Sequence, residues 1–153
     1  MFSNKNPYLM TGALLSGLAA IAHLVCIAWG ANGYRFFGAG EQMAVMAEQG
    51  QSYPAVVTLV ISCVLVIWSL YALAGAGVIR RLPLMRVCLS AIAMVYLARA
   101  LGVFWLMPLL PENSSTFWLI SSSICGVIGF CYALGTYQMW GSLSPVSGQL
   151  SEQ

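Results

Sequence analysis

Two ionisable side chains, His23 and Arg99, stand inside stretches of the chain that are otherwise strongly apolar. A histidine can exchange a proton near neutral pH, and an arginine carries a permanent charge that binds carboxylates and phosphates. Placing either group in hydrocarbon is costly, so an ionisable residue within an apolar span usually has a function. These two residues are therefore the first candidates for a binding or catalytic site.

The composition around them predicts membrane-spanning helices. Of the 153 residues, 60% are hydrophobic and 7% are charged, whereas a soluble domain carries about 25% charged residues. A helix crosses the bilayer with roughly 20 apolar residues. We predict an all-α fold, a four-transmembrane-helix bundle over residues 1–140 with a flexible tail over residues 141–153. The predicted spans are residues 8–30, 54–79, 83–107 and 115–140.

Helical geometry puts His23 and Arg99 at similar depths. His23 lies seven residues before Gly30, and Arg99 lies eight residues before Met107, near the ends of their predicted spans. At 1.5 Å per residue, both lie roughly 10–12 Å below the same end of the bundle. Together with polar side chains of that half and of the loop above it, they form the predicted ligand-binding set. Its other members are Glu41, Glu48, Tyr96, Thr58, Ser62 and Ser122.

The longest connection, residues 31–53, contains the carboxylates that could neutralise Arg99. Glu41 and Glu48 are seven residues apart in a short helical pattern, so they share one face. We predict an amphipathic helix on the outer surface there. A buried arginine needs acceptors, and no Asp or Glu occurs within the predicted spans. We therefore expect Glu41, Glu48, an anionic ligand or a lipid headgroup to provide the counter-charge.

The basic residues predict the orientation. Arg35 flanks the opposite ends of the predicted helices from the other basic residues, which are Lys5, Arg80, Arg81 and Arg86. Cytoplasmic loops carry the excess of lysine and arginine. We therefore expect both termini in the cytoplasm, in the inner (plasma) membrane of a bacterium. The net charge of +2 is too small and too dispersed to indicate nucleic-acid binding.

Metal and cofactor chemistry finds no support in the residue pattern. The chain has a single histidine and no cluster of ligands with metal-binding spacing, so we expect no metal and no cofactor. All five cysteines fall within predicted spans and none forms a Cys-x-x-Cys pair, which is typical of small buried helix residues. They are Cys26, Cys63, Cys88, Cys125 and Cys131.

Each polar residue also has a purely structural explanation. Arg99 can lay its aliphatic stem along the helix and reach the headgroups. His23 can bond a neighbouring helix, and serines such as Ser122 can bond carbonyls of their own helix. The functional hypothesis depends on these groups acting together.

The leading hypothesis is a binding or transport protein whose outward-facing polar pocket holds a small anionic or carbonyl-bearing ligand, or a lipid. Arg99 would anchor the ligand, and His23 would be its hydrogen-bond partner and proton acceptor. One alternative is an intramembrane enzyme acting on a lipid or isoprenoid, with His23 as general acid or base and Arg99 stabilising negative charge. The sequence therefore leaves enzymatic activity open.

A third hypothesis is a non-catalytic membrane subunit or scaffold. Its small-residue stripe, which includes Gly126 and Gly129, would then pack against the helices of a partner. A bundle of this size encloses little volume, so a pore would need a homo-oligomer or a membrane-complex partner.

Overall fold

The described part of the computed structural model, residues 5–102, 104 and 115–143, folds into helices joined by short turns, with no strand. This confirms the all-α expectation for that part of the chain. The helices are α1 Pro7–Trp29, α2 Ala31–Phe36, α3 Glu41–Glu48, α4 Tyr53–Gly75, α5 Met85–Leu101 and α6 Ser115–Met139.

Helix α1 begins and ends where its sequence provides caps. The side chain of Asn6 accepts a hydrogen bond from the backbone N–H of Leu9 at 3.0 Å, and Pro7 occupies the first turn, where no N–H is needed. The helix ends at Gly30, whose φ of +66° is a conformation that other residues rarely adopt. The first predicted span therefore differs from α1 by a single residue at each end.

Within the described residues, three helices are long and apolar enough to cross a membrane: Pro7–Trp29, Tyr53–Gly75 and Thr116–Met139. Many of their large apolar side chains, such as Leu14, Val60 and Phe130, are exposed on the outside of the bundle, as expected where lipid is the solvent. By their length and composition these helices could span a membrane, which suggests a membrane protein.

The predicted span over residues 83–107 is only partly described. Helix α5, Met85–Leu101, has 17 residues, and residues 103 and 105–107 lie outside the described part of the chain. The predicted tail likewise extends past the last described residue, Leu143.

The long helices pack in two close pairs. Helix α1 packs along α4 and α5 packs along α6, while α1 also contacts α6 and α4 meets α5 over a shorter stretch. Glycines allow the close approach: a Cβ added to Gly12 would lie 2.9 Å from the ring of Tyr132, and one added to Gly129 would lie 2.9 Å from Leu97. The predicted stripe on α6 therefore faces α5.

The two ends of the bundle differ in charge. At the end where α1 begins and α6 ends, called the terminal end, Asn6 donates a hydrogen bond to Gln138 at 2.9 Å. The basic residues before α1, between α4 and α5 and in the first turn of α5 lie at this end; they are Lys5, Arg80, Arg81 and Arg86. The opposite end, called the loop end, carries Arg35 on α2.

Helices α2 and α3 cover the loop end. Tyr34 and Ala44 are buried against Cys26 in a small apolar cluster of their own. Gly38, with φ of +68°, lies so close to the ring of Phe117 that a side chain there would clash. Helix α3 occupies the position predicted for the short helix, with Glu41 and Glu48 exposed.

Candidate functional site

The carboxylates of α3 bind Arg35. Arg35 Nη2 lies 2.6 Å from Glu41 Oε1, and Arg35 Nη1 lies 2.6 Å from Glu48 Oε1. Both carboxylates are thus paired with Arg35, whereas the sequence predicted them as counter-ions of Arg99. The cause is local, because the turn between α2 and α3 brings an arginine of the same loop against both carboxylates. The hydrogen bond from Arg35 holds the pKa of Glu41 below its usual range, with a smaller opposing effect of desolvation.

Arg99 instead binds hydroxyl groups of α6. Its Nη2 donates to Ser121 Oγ at 3.0 Å, and its Nη1 lies 3.5 Å from Ser122 Oγ, at the long limit of a hydrogen bond. Its guanidinium carbon also lies 4.9 Å from the centre of the Trp118 ring, a cation–π contact. These four residues form the Arg99 site. Ser122 was in the predicted set, whereas Ser121 and Trp118 were not.

The antiparallel packing of α5 and α6 places these groups together. Trp118, Ser121 and Ser122 are three and four residues apart, so they share one face of α6 near its start. Gly129, two turns beyond Ser122, lets α5 approach closely enough for Arg99 to reach that face. Helical spacing of four residues from Ser122 was thus the sequence signal for Trp118, and Ser121 is its neighbour in the sequence.

Donors outnumber charged acceptors at the Arg99 site. A guanidinium has five N–H donors, and among the described residues Arg99 forms no ion pair with a carboxylate. The indole of Trp118 is 3% exposed, and its Nε1 has no hydrogen-bond partner there. The side chain of Arg99 is half-buried. A cation and a buried N–H donor therefore meet at one place where the described residues provide no matching anion.

A second polar centre lies in the middle of the bundle. Ser16 Oγ lies 2.9 Å from the hydroxyl of Tyr96 and 3.0 Å from that of Tyr132, and Tyr132 donates to the backbone carbonyl of Trp68 at 2.9 Å. A carbonyl only accepts, and each hydroxyl has one hydrogen. The direction of donation is therefore fixed, from Tyr96 to Ser16 to Tyr132 to Trp68. This hydroxyl chain ties α1, α4, α5 and α6 together.

Three members of the predicted set belong to helix contacts. Tyr96 lies one turn from Arg99, yet its hydroxyl binds Ser16. Ser62 donates to the carbonyl of Ala20 at 3.0 Å across the α1–α4 contact, and Thr58 is buried one turn away on the same face of α4. The structure thus brings Ser122 to Arg99 but gives Tyr96 and Ser62 other partners.

His23 is half-buried and bonds its own helix. Its Nδ1 lies 2.7 Å from the carbonyl oxygen of Ala19. Since a carbonyl only accepts, Nδ1 carries the hydrogen, and Nε2 of the neutral ring keeps its lone pair. His23 follows Ser16 by seven residues, so it shares the inward face about 10 Å closer to the loop end. No hydrogen bond between described residues joins His23 to the Arg99 site.

The described residues contain no group of three or more His, Cys, Asp or Glu side chains that could hold a metal ion. The five cysteines are free thiols. What the arrangement can do chemically is present N–H and O–H donors to an acceptor, with a fixed positive charge behind them.

Comparison with protein-family models, curated proteins and solved structures found no match to this chain. Its function is therefore inferred from the geometry of its polar centres.

Proposed function

We propose that the protein is a small integral membrane protein that binds, and in an oligomer transports, a ligand bearing a carboxylate or phosphate at the Arg99 site. The observation that carries the proposal is the half-buried guanidinium whose described partners are all neutral, beside the unpartnered indole N–H of Trp118. In this proposal α5 continues through residue 107 as a fourth span. Both termini lie in the cytoplasm, and the membrane is a bacterial inner membrane.

The electrostatics of Arg99 support an anionic ligand. A charge removed from water costs several kcal/mol unless it is paired, and a cation–π contact returns only about 0.5–2 kcal/mol. Two hydrogen bonds to neutral hydroxyls provide no counter-charge, and none of the ion pairs between described residues involves Arg99. An oxyanion can accept two parallel N–H bonds from one guanidinium, the strongest geometry available to arginine.

Neighbouring donors would complete such a site. Because Ser121 accepts from Arg99, its own hydroxyl hydrogen remains available to a ligand oxygen. Trp118 Nε1 offers a second donor. His23 enters the proposal as a further hydrogen-bonding group of the bundle, since its described hydrogen bond uses only Nδ1 and leaves Nε2 available to a ligand.

The scaffold hypothesis gains less from the structure. It attributes the small-residue stripe of α6 to partner helices, but Gly129 already packs against Leu97 within the chain. Sensitivity of Gly129 to substitution would therefore follow from either hypothesis.

Titration calorimetry with inorganic phosphate and with hexanoate, on protein in a neutral mild detergent, tests the proposal. Wild type should bind at least one of the two anions saturably, and the anion bound identifies the class of ligand. Arg99→Gln should abolish binding. Arg99→Lys keeps the charge but loses the planar fork, so affinity should fall about tenfold. Arg81→Gln, which removes the same charge at the terminal end, should bind like wild type.

The outcomes separate cleanly. Equal affinity in wild type and Arg99→Gln, or no saturable binding of either anion to wild type, would overturn the proposal. Unfolding midpoints and size-exclusion profiles of each variant exclude a folding defect as the cause of lost binding. Glu112→Gln, which neutralises a carboxylate outside the described residues, should leave the affinity within about twofold; a large gain would mean that Glu112 already neutralises Arg99.

A further inference from the structure

A groove of about 540 Å³ runs between α5 and α6 on the outside of the bundle. Its apolar wall includes Met94, Leu97 and Leu101 of α5, and Met94 and Leu101 are 69% and 64% exposed. Arg99 points elsewhere, because it lies about 140° from Met94 and about 200° from Leu101 around the helix. The groove is therefore distinct from the Arg99 site.

The dimensions of the groove match one leaflet of a bilayer. Along α5 its lining extends from Ser90 to Leu101, which is about 16 Å at 1.5 Å per residue. Half of a hydrocarbon core is about 15 Å thick. A groove of this length on an exposed helix face suits a single acyl chain that runs from the membrane surface to the bilayer centre.

Polar groups gather where the groove reaches the terminal end. Tyr137 and Trp140 line it there, and both are residue types of the membrane interface. Thr136 also lines it, and its buried Oγ1 has no hydrogen-bond partner among the described residues. The guanidinium carbon of Arg86 lies 4.8 Å from the centre of the Trp140 ring. A purely hydrocarbon occupant would use neither the hydroxyl nor the charge.

We propose that this groove binds an anionic phospholipid, with one acyl chain along α5, an ester oxygen near Thr136 and the phosphate beside Arg86. Charge complementarity supports the anionic headgroup. The described residues at the terminal end include four basic side chains and no acidic one, since Glu41 and Glu48 lie at the loop end. The proposal is independent of ligand binding at Arg99.

Native mass spectrometry tests it. Delipidated protein in neutral detergent is offered phosphatidylglycerol or phosphatidylcholine with identical acyl chains, and the bound lipids are counted. Wild type should retain one phosphatidylglycerol, in about fivefold preference over phosphatidylcholine, because a cation near the membrane surface favours the anionic lipid. Ala98→Phe fills the groove from an exposed position, so it should release both lipids.

Two charge variants locate the headgroup. Arg86→Gln should lower phosphatidylglycerol retention to the phosphatidylcholine level, because Arg86 lies against Trp140 of the groove lining. Arg81→Gln removes the same charge from the turn between α4 and α5 and should preserve the preference. Arg99→Gln should also preserve it, which separates this result from failure of the anion site. Three outcomes would overturn the proposal: equal retention of the two lipids by wild type, unchanged retention in Ala98→Phe, or an equal loss in Arg81→Gln and Arg86→Gln. A wild-type dimer that Ala98→Phe dissociates would assign the groove to a second copy instead.

Discussion

Arg86 and Arg99 extend from the same helix and lie over tryptophan rings of the same neighbour, at 4.8 and 4.9 Å, yet their surroundings differ. Arg86 donates from Nε and Nη2 to the carbonyl of Trp140, at 2.9 and 2.5 Å. That carbonyl follows the C-terminus of α6, where the helix dipole favours a cation. Arg99 meets serine hydroxyls near the start of α6, where the dipole gives a cation no such support.

The comparison teaches that a cation–π contact does not by itself identify a functional arginine. Both pairs connect α5 to α6 or to the residue that follows it, and either could simply hold the two helices together. The difference lies in the acceptors: Arg86 binds a carbonyl at the negative end of a helix, whereas Arg99 binds weakly polar hydroxyls. Among the described residues, Arg99 is therefore the one of the two whose hydrogen-bond acceptors carry the less negative charge.

The largest effect on stability is expected from a substitution that forces α5 and α6 apart, since these two helices position both arginine–tryptophan pairs. Gly129→Ala places a Cβ 2.9 Å from Leu97 Cγ and 3.0 Å from its backbone N. Because the backbone of Leu97 cannot move aside as a flexible side chain could, stability should fall by about 1–3 kcal/mol. Gly126→Ala is the matched control, since its Cβ meets Ala100 at an ordinary 3.6 Å. Thermal unfolding measures the difference, and equal midpoints would contradict the packing described for α5 and α6.

A substitution in the hydroxyl chain, which lies between the two arginines along the bundle, tests whether the Arg99 site is independent of the middle of the protein. Tyr132→Phe removes the donor to Trp68 and leaves Ser16 without its acceptor, so stability should fall by about 1–2 kcal/mol. Tyr96→Phe removes only the first donor of the chain and should cost less. Denaturant unfolding gives both values, and anion binding at Arg99 should be unchanged in Tyr132→Phe. A larger loss in Tyr96→Phe would reverse the inferred direction of the hydroxyl chain.

The smallest effect concerns a third arginine, Arg35, whose partners are the carboxylates of Glu41 and Glu48. Because Arg35 lowers the pKa of Glu41, this ion pair contributes above the ordinary carboxyl pKa and is lost as pH falls through the lowered value. Below about pH 4 the turn between α2 and α3 should loosen. Hydrogen exchange of its amides measures this, and the pH response should be absent in Arg35→Gln.

The apolar helices were predictable because their length and composition follow from the thickness of a bilayer. Helix α6 ends one residue before the predicted span, at Met139. The contact of Arg99 with Ser122 could also be predicted, since the sequence placed both residues in the same half of the bundle. Depth alone did not show which helices are neighbours, so it could not place His23 relative to Arg99.

The partner of the loop carboxylates differs from the predicted one for a physical reason. Helical periodicity showed that Glu41 and Glu48 share a face, which α3 confirms, but it says nothing of how the preceding turn folds. That turn brings Arg35 to both carboxylates. Similarly, the buried positions of Tyr96 and Ser62 agree with inward-facing residues, but their partners on α1 depend on the pairing of helices, which no local pattern encodes.

The hydroxyl chain has a consequence for proton conduction along the bundle. A carbonyl has no proton to pass on, so the chain from Tyr96 to Trp68 ends at α4 and cannot act as a wire between the two ends. Reversing it would require every hydroxyl to rotate and the bond to Trp68 to break. This hydroxyl chain therefore gives no proton path from the terminal end to the loop end, although it ties four helices together.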